Sequence, residues 1–322
     1  NTKEAFNLID QLADFKVPVL LLSGGEPLLR EDLFKIIKKA KSRDLRVVIS
    51  TNGTLLTEKM VQKLNFLDVS YIGISLDGME AVNDSFRGKK GAFRAALEGI
   101  RNCQKYNQKV GLRFTINQEN YQQIDDLFQL IEREDIPRIC FYHLVYSGRA
   151  ENIKEAELSD SDKKETIDKI IEWTRYFIDH DKPREILTVD NHADGAYLYL
   201  KTKEKNSKRA EYIYSQILKS GGNRSGSAIA NIDHKGDVYA DQFSRFETLG
   251  NIKEKNFSEI WTDSDNEFLN KMRNRKKYLK GKCAECKFLD ICNGNLRARA
   301  YAAGDLWGAD PGCYLSEAEI TE

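Results

Sequence analysis

Residues 17–27 read VPVLLLSGGEP, an apolar run that stops at a polar turn containing two glycines. The run has the length and branched composition of a β-strand, and the apolar periodicity that follows over residues 33–40 predicts a helix. Four later apolar runs also end in polar turns, which are STNG (50–53), SLDG (75–78), TINQ (115–118) and YHLVYSGR (142–149). Because strands that alternate with helices lie parallel, the sequence predicts an α/β fold with these turns at one edge of the sheet.

The visible strands number five, too few for a closed eight-stranded barrel, so we expect a partial barrel. They cover residues 17–22, 46–50, 71–76, 110–116 and 138–145. From residue 151 the pattern changes to long helices, and a β-hairpin is predicted at residues 228–243. We therefore divide the chain into a barrel (1–150), a helical connector (151–227) and a carboxyl-terminal extension (228–322).

Composition excludes several classes of function. Fifty basic and fifty acidic residues cancel, which leaves no electrostatic footprint for nucleic acid or for an anionic membrane. The chain contains no apolar run of about eighteen residues, so we expect no membrane span. Residues 1–15 form an amphipathic helical pattern and not a signal peptide. Six cysteines, four of them clustered, favour a reducing compartment, and we expect a cytoplasmic protein.

The clustered cysteines are spaced as Cys283-x2-Cys286-x5-Cys292, and Cys313 follows further along the chain. Thiolates are soft ligands for zinc and for iron–sulfur clusters, and Cys-x-x-Cys is a strong local sign of metal ligation. Structural zinc usually takes two close pairs of ligands, and only the first pair is close here. The spacing therefore favours an iron–sulfur cluster over zinc, with a disulfide framework as a third reading. The remaining two cysteines, Cys103 and Cys140, are expected to be small buried apolar residues.

The polar turns carry candidate ligand-binding side chains. Gly24 and Gly25 let the backbone approach a ligand closely, and Glu26 suits the ammonium group of an amino-acid ligand. The candidates at the next strand ends, for a ribose or a carboxylate, are Asn52, Ser75 and Asp77. Arg87 is a candidate for the carboxylate of the same ligand, and a solvated surface arginine is the alternative. An ordinary strand-to-helix turn is the alternative for Gly-Gly-Glu-Pro.

Together, SGGEP, STNG, SLDG and the cysteine pattern resemble the radical S-adenosylmethionine family, in its members with a SPASM- or twitch-type extension. The resemblance covers nearly the whole chain and implies a partial (β/α)6 barrel of TIM type followed by a Cys-rich extension. It implies one auxiliary [4Fe–4S] cluster, with the ligands Cys283, Cys286, Cys292 and Cys313. A second auxiliary cluster is not expected, because the family needs cysteines for it where this chain has Gly222, Asp241 and Leu296.

The resemblance also implies that S-adenosylmethionine binds at the polar turns. Gly24, Gly25 and Glu26 match the segment that grips the methionyl amine. The strand that contacts ribose and carboxylate is matched by Ser75 and Asp77, and the strand along the adenine by residues 142–145, with Tyr142 and His143.

The catalytic cluster is the large departure from the family. Relatives hold it on a Cys-x3-Cys-x2-Cys loop after the first barrel strand, and this sequence contains no such run. The helix at residues 1–15 matches the helix after that loop, so we expect the first strand and the loop, with the catalytic [4Fe–4S] cluster, to lie upstream. A relative that has lost its radical chemistry is the alternative.

A narrower resemblance concerns the substrate. The segments CFYHLVYSGRA, GGNRSGSAIANID, CNGNLRARA and GDLWGADPGCYLS resemble the tetrapyrrole-tailoring branch, whose members remove acetate or propionate side chains on routes to heme and heme d1. CNGNLRARA favours acetate removal from didecarboxysiroheme to give Fe-coproporphyrin III. Oxidative decarboxylation of coproheme and propionate removal for heme d1 are alternatives within the branch. Further alternatives are a SPASM peptide maturase and a non-catalytic binding module stabilised by zinc or by a cluster.

An anionic tetrapyrrole needs local cations, because the net charge of the chain is zero. Guanidinium groups match the geometry of propionates, and the arginines expected to bind them are Arg149, Arg297 and Arg299. His143 and His192 are candidates for the substrate iron, although most histidines are merely packed. Asp241 is a candidate proton donor. We also expect an electron donor such as ferredoxin or flavodoxin as a partner.

Overall fold

The computed structural model describes residues 1–147 and 156–321, so Arg149, a predicted substrate ligand, lies outside the described residues. The chain divides into two compact units. The first unit comprises residues 1–142 and 168–187, and the second comprises residues 143–167 and 188–322. The predicted helical connector is not a unit of its own, because its first helix and its strand each contribute residues to both units.

One sheet contains six strands in the order of the chain, and the first five pair in parallel. The strands are β1 (Val19–Leu22), β2 (Arg46–Thr51), β3 (Tyr71–Ser75), β4 (Val110–Thr115), β5 (Arg138–Tyr142) and β6 (Glu185–Val189). This order confirms the predicted α/β architecture, with β1 and β6 as the outer strands among the described residues. The sixth strand was missed: its sequence, EILTV, has the branched composition of a strand but lies among helical patterns.

Helices cover one face of this sheet. They are α1 (Thr2–Asp14), α2 (Leu33–Lys41), α3 (Glu58–Phe66), α4 (Glu80–Arg87), α5 (Ala92–Lys105), α6 (Ile124–Arg133) and α7 (Asp160–Asp179). Strand residues on the covered face, such as Val47, Ile49 and Ile72, are almost completely buried. Because strand side chains alternate, the opposite face carries Val48 and Ser50, which are half-buried. We call this second side of the sheet the open face.

The second unit is built mainly from short elements. Its helices are α8 (Ala193–Lys203), α9 (Ser207–Ser220), α10 (Phe257–Trp261), α11 (Glu267–Arg273), α12 (Leu289–Cys292), α13 (Arg297–Ala302) and α14 (Glu317–Thr321). The predicted hairpin is present, with β7 (Asn231–Ile232) antiparallel to β8 (Asp237–Tyr239) and β9 (Gly250–Asn251) added beside it. Asp233 closes its turn by accepting the N–H groups of three residues, Lys235 to Asp237. Within the described residues, no helix is both long enough and apolar enough to cross a membrane.

Candidate active site

We call the turns after β1, β2 and β3, residues 23–27, 51–54 and 75–78, the barrel mouth. Its first and second turns are joined by the carboxylate of Glu26. Glu26 Oε1 accepts hydrogen bonds from Leu28 N–H at 3.0 Å and Thr51 Oγ1–H at 2.7 Å, and Oε2 accepts from Asn52 N–H at 2.9 Å. A carboxylate offers about four acceptor positions, so these three bonds fix Glu26 and leave room for a ligand donor.

Two glycines precede this carboxylate. Gly24 has a φ of 141°, a conformation that side chains with a Cβ rarely adopt. Both Gly24 and Gly25 are exposed, and at neither position would an added Cβ meet a described atom within 4 Å. Gly24 is therefore required for backbone conformation, and the exposed turn leaves the backbone open to a ligand. Asn52 stabilises the second turn, since its Oδ1 accepts from the N–H (2.9 Å) and the hydroxyl (2.7 Å) of Thr54.

Asp77 and Arg87, two predicted cofactor residues, are brought together as an ion pair. Asp77 is buried, and its backbone N–H donates to Asn83 Oδ1 at 2.9 Å while its carbonyl accepts from Asn120 Nδ2 at 3.0 Å. Burial raises the pKa of the Asp77 carboxyl group, and the charge of Arg87 opposes this rise. Arg87 thus compensates the charge of a buried carboxylate, and this ion pair stabilises the turn after β3. Asn83 and Asn120 were not predicted, because isolated asparagines give no sequence signal.

Ser75 and Tyr142 end β3 and β5 on the open face, where both are half-buried. Ser75 lies directly opposite Arg113 of β4 in the sheet register. The Arg113 guanidinium carbon is 4.3 Å from the centre of the Tyr142 ring. A hydroxyl group, a cation and an aromatic ring therefore share this end of the open face.

The two candidate histidines lie in different environments within the second unit. His143 is buried, with Nε2 at 2.9 Å from Asp194 Oδ2, and the Tyr314 hydroxyl donates to Asp194 Oδ1 at 2.8 Å. His143 therefore belongs to an internal network. His192 is half-buried, and its backbone N–H donates to Asn295 Oδ1 at 2.8 Å. Burial lowers the pKa of the His192 imidazole to about 4, so the ring is neutral near pH 7, the form that a metal ligand requires.

The four clustered cysteines line one pocket of the second unit, which we call the cluster pocket. It contains about 410 Å³ of atom-free space, part of it open to solvent. Yet no three Cys, His, Asp or Glu side chains of the described residues converge closely enough to hold one metal ion. A zinc ion gathers its thiolates at about 2.3 Å, whereas a [4Fe–4S] cluster spreads them over four irons. The donor set in the pocket, four thiols, is the one that a [4Fe–4S] cluster takes.

Local bonding supports this arrangement of thiols. Lys282 Nζ donates to the carbonyls of Cys313 at 2.9 Å and Leu315 at 3.3 Å, which joins the first cysteine segment to the last. Burial raises the pKa of the thiols of Cys286, Cys292 and Cys313, so uptake of iron displaces protons. As predicted, the other two cysteines, Cys103 and Cys140, are buried elsewhere.

Arg297 and Arg299, predicted to bind substrate, are completely buried in the second unit. Arg299 Nε lies 2.9 Å from Asp310 Oδ1, and its terminal nitrogens donate to the carbonyls of Leu144 and Asp190. Arg297 donates to the carbonyls of Gly294, Leu306 and Gly308. The donors of Arg299 and the terminal nitrogens of Arg297 are directed at internal acceptors, whereas Arg297 Nε is buried without a hydrogen-bond partner among the described residues. Both arginines thus stabilise the extension, and substrate binding by them stays a prediction.

Asp241, the candidate proton donor, is also buried. Its Oδ1 accepts the N–H groups of Phe243 at 2.9 Å and Ser244 at 2.7 Å. This pattern is typical of an aspartate that closes a turn, and Asp241 as proton donor stays a prediction.

Comparison with known proteins gives two family matches. Residues 1–131 match the Radical SAM superfamily, and residues 224–287 match SPASM, an iron–sulfur cluster-binding domain. Fe-coproporphyrin III synthase of Methanosarcina barkeri is 48% identical over 324 residues, covering 99% of this chain and 81% of the relative. Pre-heme d1 synthase of Dinoroseobacter shibae is 38% identical over 320 residues, covering 98% and 79%.

Solved structures agree on the fold. AdoMet-bound anSMEcpe superposes with a TM-score of 0.75 at 16% identity, over 97% of this chain and 81% of that one. Streptococcus suis SuiB bound to its precursor peptide SuiA also gives a TM-score of 0.75, at 18% identity, over 97% of this chain and 69% of SuiB. The predicted family is confirmed. This chain belongs to the radical SAM enzymes with a SPASM iron–sulfur domain, whose cofactors are S-adenosylmethionine and [4Fe–4S] clusters.

Proposed function

We propose that this enzyme removes acetate side chains from didecarboxysiroheme to give Fe-coproporphyrin III. The observation that carries the proposal is the 48% identity to Fe-coproporphyrin III synthase over 99% of the chain. A match of this extent includes both the barrel mouth and the cluster pocket. Pre-heme d1 synthase, at 38% identity, supports removal of propionate as the second candidate.

When S-adenosylmethionine is bound and cleaved by one electron, it supplies a 5′-deoxyadenosyl radical that abstracts hydrogen from the substrate. The protein holds and orients the reactants. We assign Glu26 to the methionyl ammonium, Ser75 to the ribose and Tyr142 to the adenine, because each lies at a strand end with its side chain half-buried. The Asp77–Arg87 pair fixes the turn after β3.

The second unit supplies the auxiliary cluster and candidate substrate contacts. We assign the cluster ligands to Cys283, Cys286, Cys292 and Cys313, which line the cluster pocket together. Of the two histidines, we favour His192 for the substrate iron, because its ring is neutral and half-buried while His143 is bonded to Asp194. Reduction requires an electron donor, for which we propose a ferredoxin or flavodoxin in the reducing cytoplasm.

An anaerobic turnover assay tests the reaction. The chain is joined at its amino terminus to a Cys-x3-Cys-x2-Cys loop segment and incubated with S-adenosylmethionine, dithionite and didecarboxysiroheme. We expect Fe-coproporphyrin III to accumulate together with 5′-deoxyadenosine. The 322-residue chain alone, which has no such cysteine run, is the control and should yield no 5′-deoxyadenosine.

Parallel assays with coproheme and with the heme d1 precursor distinguish the alternatives. Faster conversion of either, with didecarboxysiroheme left intact, would replace the proposal by that alternative. Formation of 5′-deoxyadenosine without conversion of any tetrapyrrole would favour the peptide-maturase reading.

A further inference from the structure

Two arginines of the first unit pack against tyrosine rings on the open face of the sheet. The guanidinium carbon of Arg113, on β4, lies 4.3 Å from the centre of the Tyr142 ring. That of Arg138, on β5, lies 4.7 Å from the centre of the Tyr71 ring. All four side chains are half-buried, and cation–π contact at these distances restricts both guanidinium groups.

The two arginines differ in charge balance. Arg138 Nη1 lies 3.2 Å from Glu185 Oε2, so its charge is compensated. The side chain of Arg113, by contrast, has neither a carboxylate partner nor a hydrogen-bond acceptor among residues 1–147 and 156–321. A guanidinium group presents five N–H donors in a rigid fork that matches a carboxylate. Arg113 therefore keeps both its charge and its donors available to an anionic ligand.

The strand beside Arg113 makes room for it. A Cβ added at Gly73 of β3 would lie 2.7 Å from Arg113 Cδ and 3.2 Å from its Cγ. The missing side chain lets the stem of Arg113 lie across β3, while Tyr142 restrains the guanidinium group on the other side. The cation is thus positioned by packing and is not a freely moving surface arginine.

The position of Arg113 on the sheet indicates that the anion it binds belongs to the substrate and not to S-adenosylmethionine. Arg113 is level with Ser75 at the end of β3, whereas the Glu26 carboxylate is hydrogen-bonded at the end of β2, two strands from β4. Neighbouring strands are about 4.8 Å apart, which places β2 and β4 about 10 Å apart along the sheet. The ammonium and carboxylate groups of a methionyl moiety share one carbon atom, and the ribose and adenine that we assign to Ser75 and Tyr142 carry no charge. Glu26 and Arg113 therefore suit different ligands. Arg87, the predicted carboxylate ligand, is already paired with Asp77.

We propose that Arg113 binds a carboxylate of the substrate, an acetate or propionate arm of the iron tetrapyrrole, on the open face of the sheet. This assignment rests on the proposed function and adds the residue that selects for an acidic side chain. Bidentate charge-assisted hydrogen bonds give such a site both affinity and orientation.

Equilibrium titration of the 322-residue chain tests the assignment. The ligands are Fe-coproporphyrin III, its tetramethyl ester, S-adenosylhomocysteine and 5′-methylthioadenosine, which lacks the amino-acid group. Arg113→Gln should weaken Fe-coproporphyrin III binding about tenfold to hundredfold, the range for charged hydrogen bonds, and leave ester binding unchanged. Arg113→Lys should recover part of the loss. The control Arg138→Gln, on the same face but with a compensated charge, should change binding less than about threefold.

Other outcomes overturn the assignment in distinguishable ways. Equal affinity of wild-type and Arg113→Gln chains for Fe-coproporphyrin III would refute the assignment of Arg113 and leave the proposed function intact. A loss confined to S-adenosylhomocysteine, with 5′-methylthioadenosine unaffected, moves Arg113 to the cofactor. A wild-type chain that binds neither tetrapyrrole sinks the proposed function together with this inference. If Arg113→Gln does not fold, phenylglyoxal modification of wild-type Arg113 decides: protection by Fe-coproporphyrin III supports the site, and its absence refutes it.

Discussion

The barrel mouth and the cluster pocket achieve their geometry in different ways. In the mouth, side chains stand at the ends of successive parallel strands, and three short hydrogen bonds to Glu26 lock the first two turns. In the second unit, the thiols stand on short helices and turns, and Asp310, which is paired with Arg299, accepts the backbone N–H of Cys313 at its carbonyl. The mouth is thus fixed by the sheet itself. The cluster pocket depends on its polar network and on its metal, so we expect the larger mutational effects there.

Loss of one cysteine should have the largest effect. We expect the 322-residue chain to take up about four irons, the content of one [4Fe–4S] cluster, and Cys313→Ala to lose most of them. S-adenosylhomocysteine binding should be unchanged, because no mouth side chain depends on the thiol. Iron analysis and isothermal titration measure the two properties. Cys103→Ala, at a buried thiol outside the pocket, is the control. About eight irons, or unchanged iron in Cys313→Ala, would contradict the single-cluster prediction.

Breaking the buried ion pair should be the next largest effect. Arg299→Ala leaves Asp310 charged, fully buried and without its partner, which typically costs about 3–5 kcal/mol. Denaturant unfolding monitored in the second unit should report a loss of this size. A double variant, Arg299→Met with Asp310→Leu, should lose less than the single variant, since no charge remains buried. Equal losses in both would show that packing and not charge dominates at this site.

The same pair predicts a pH dependence. Burial alone would raise the pKa of Asp310, but the charge of Arg299 and hydrogen bonds from backbone N–H groups hold it below its ordinary value. The stabilisation is therefore fully present above the unfolded-state pKa of about 3.9 and is lost as pH falls through the lower folded pKa. Acid unfolding of wild-type and Asp310→Asn chains checks this, because the variant should lack that part of the pH dependence.

Charge beside the cluster pocket predicts a smaller, redox effect. Lys282 lines the pocket, and its ammonium group donates to two carbonyl groups and pairs with no acid in the part of the chain that the structure describes. A nearby positive charge stabilises the more negative, reduced cluster. We expect Lys282→Gln to lower the ratio of reduced to oxidised cluster at a fixed potential by up to about tenfold, equivalent to about 59 mV for one electron. Potentiometric titration followed by electron paramagnetic resonance measures the shift.

Lys287 provides the matched control for this redox prediction. Lys287 is adjacent in sequence to a cluster cysteine, as Lys282 is, but it is exposed and its ammonium group lies 5.2 Å from the centre of the Phe288 ring. Solvent and salt screen such a charge, so Lys287→Gln should shift the potential much less. Equal shifts of the potential in the two variants, or no shift in Lys282→Gln, would show that the charge of Lys282 has no particular effect on the cluster potential.

The contrast between the two regions also explains what could be predicted from the sequence. Apolar runs ending in polar turns gave five strands, and cysteine spacing gave four thiols that do share one pocket. Both signals are local in the chain. Thr51 and Arg113 escaped prediction because their roles depend on the register between neighbouring strands. Arg299 was assigned to substrate because a sequence does not distinguish a buried arginine from a ligand-facing one. Its partner, Asp310, lies inside the segment GADPG, which signals only a turn.

The smallest predicted effect tests whether the sheet alone fixes the barrel mouth. Thr51 is buried at the end of β2, and its hydroxyl donates to Glu26 Oε1 at 2.7 Å while accepting from Gly53 N–H at 3.1 Å. Thr51→Val keeps the shape and removes both bonds, so the carboxylate loses one of its three restraints. Because a neutral hydrogen bond contributes about 0.5–1.5 kcal/mol, we expect S-adenosylhomocysteine binding to weaken about twofold to tenfold by isothermal titration. Thr54→Val, which removes a hydroxyl bonded to Asn52 and not to Glu26, is the control and should bind normally. If Thr54→Val weakens binding and Thr51→Val does not, the ligand is held through Asn52, and Glu26 loses its assigned role.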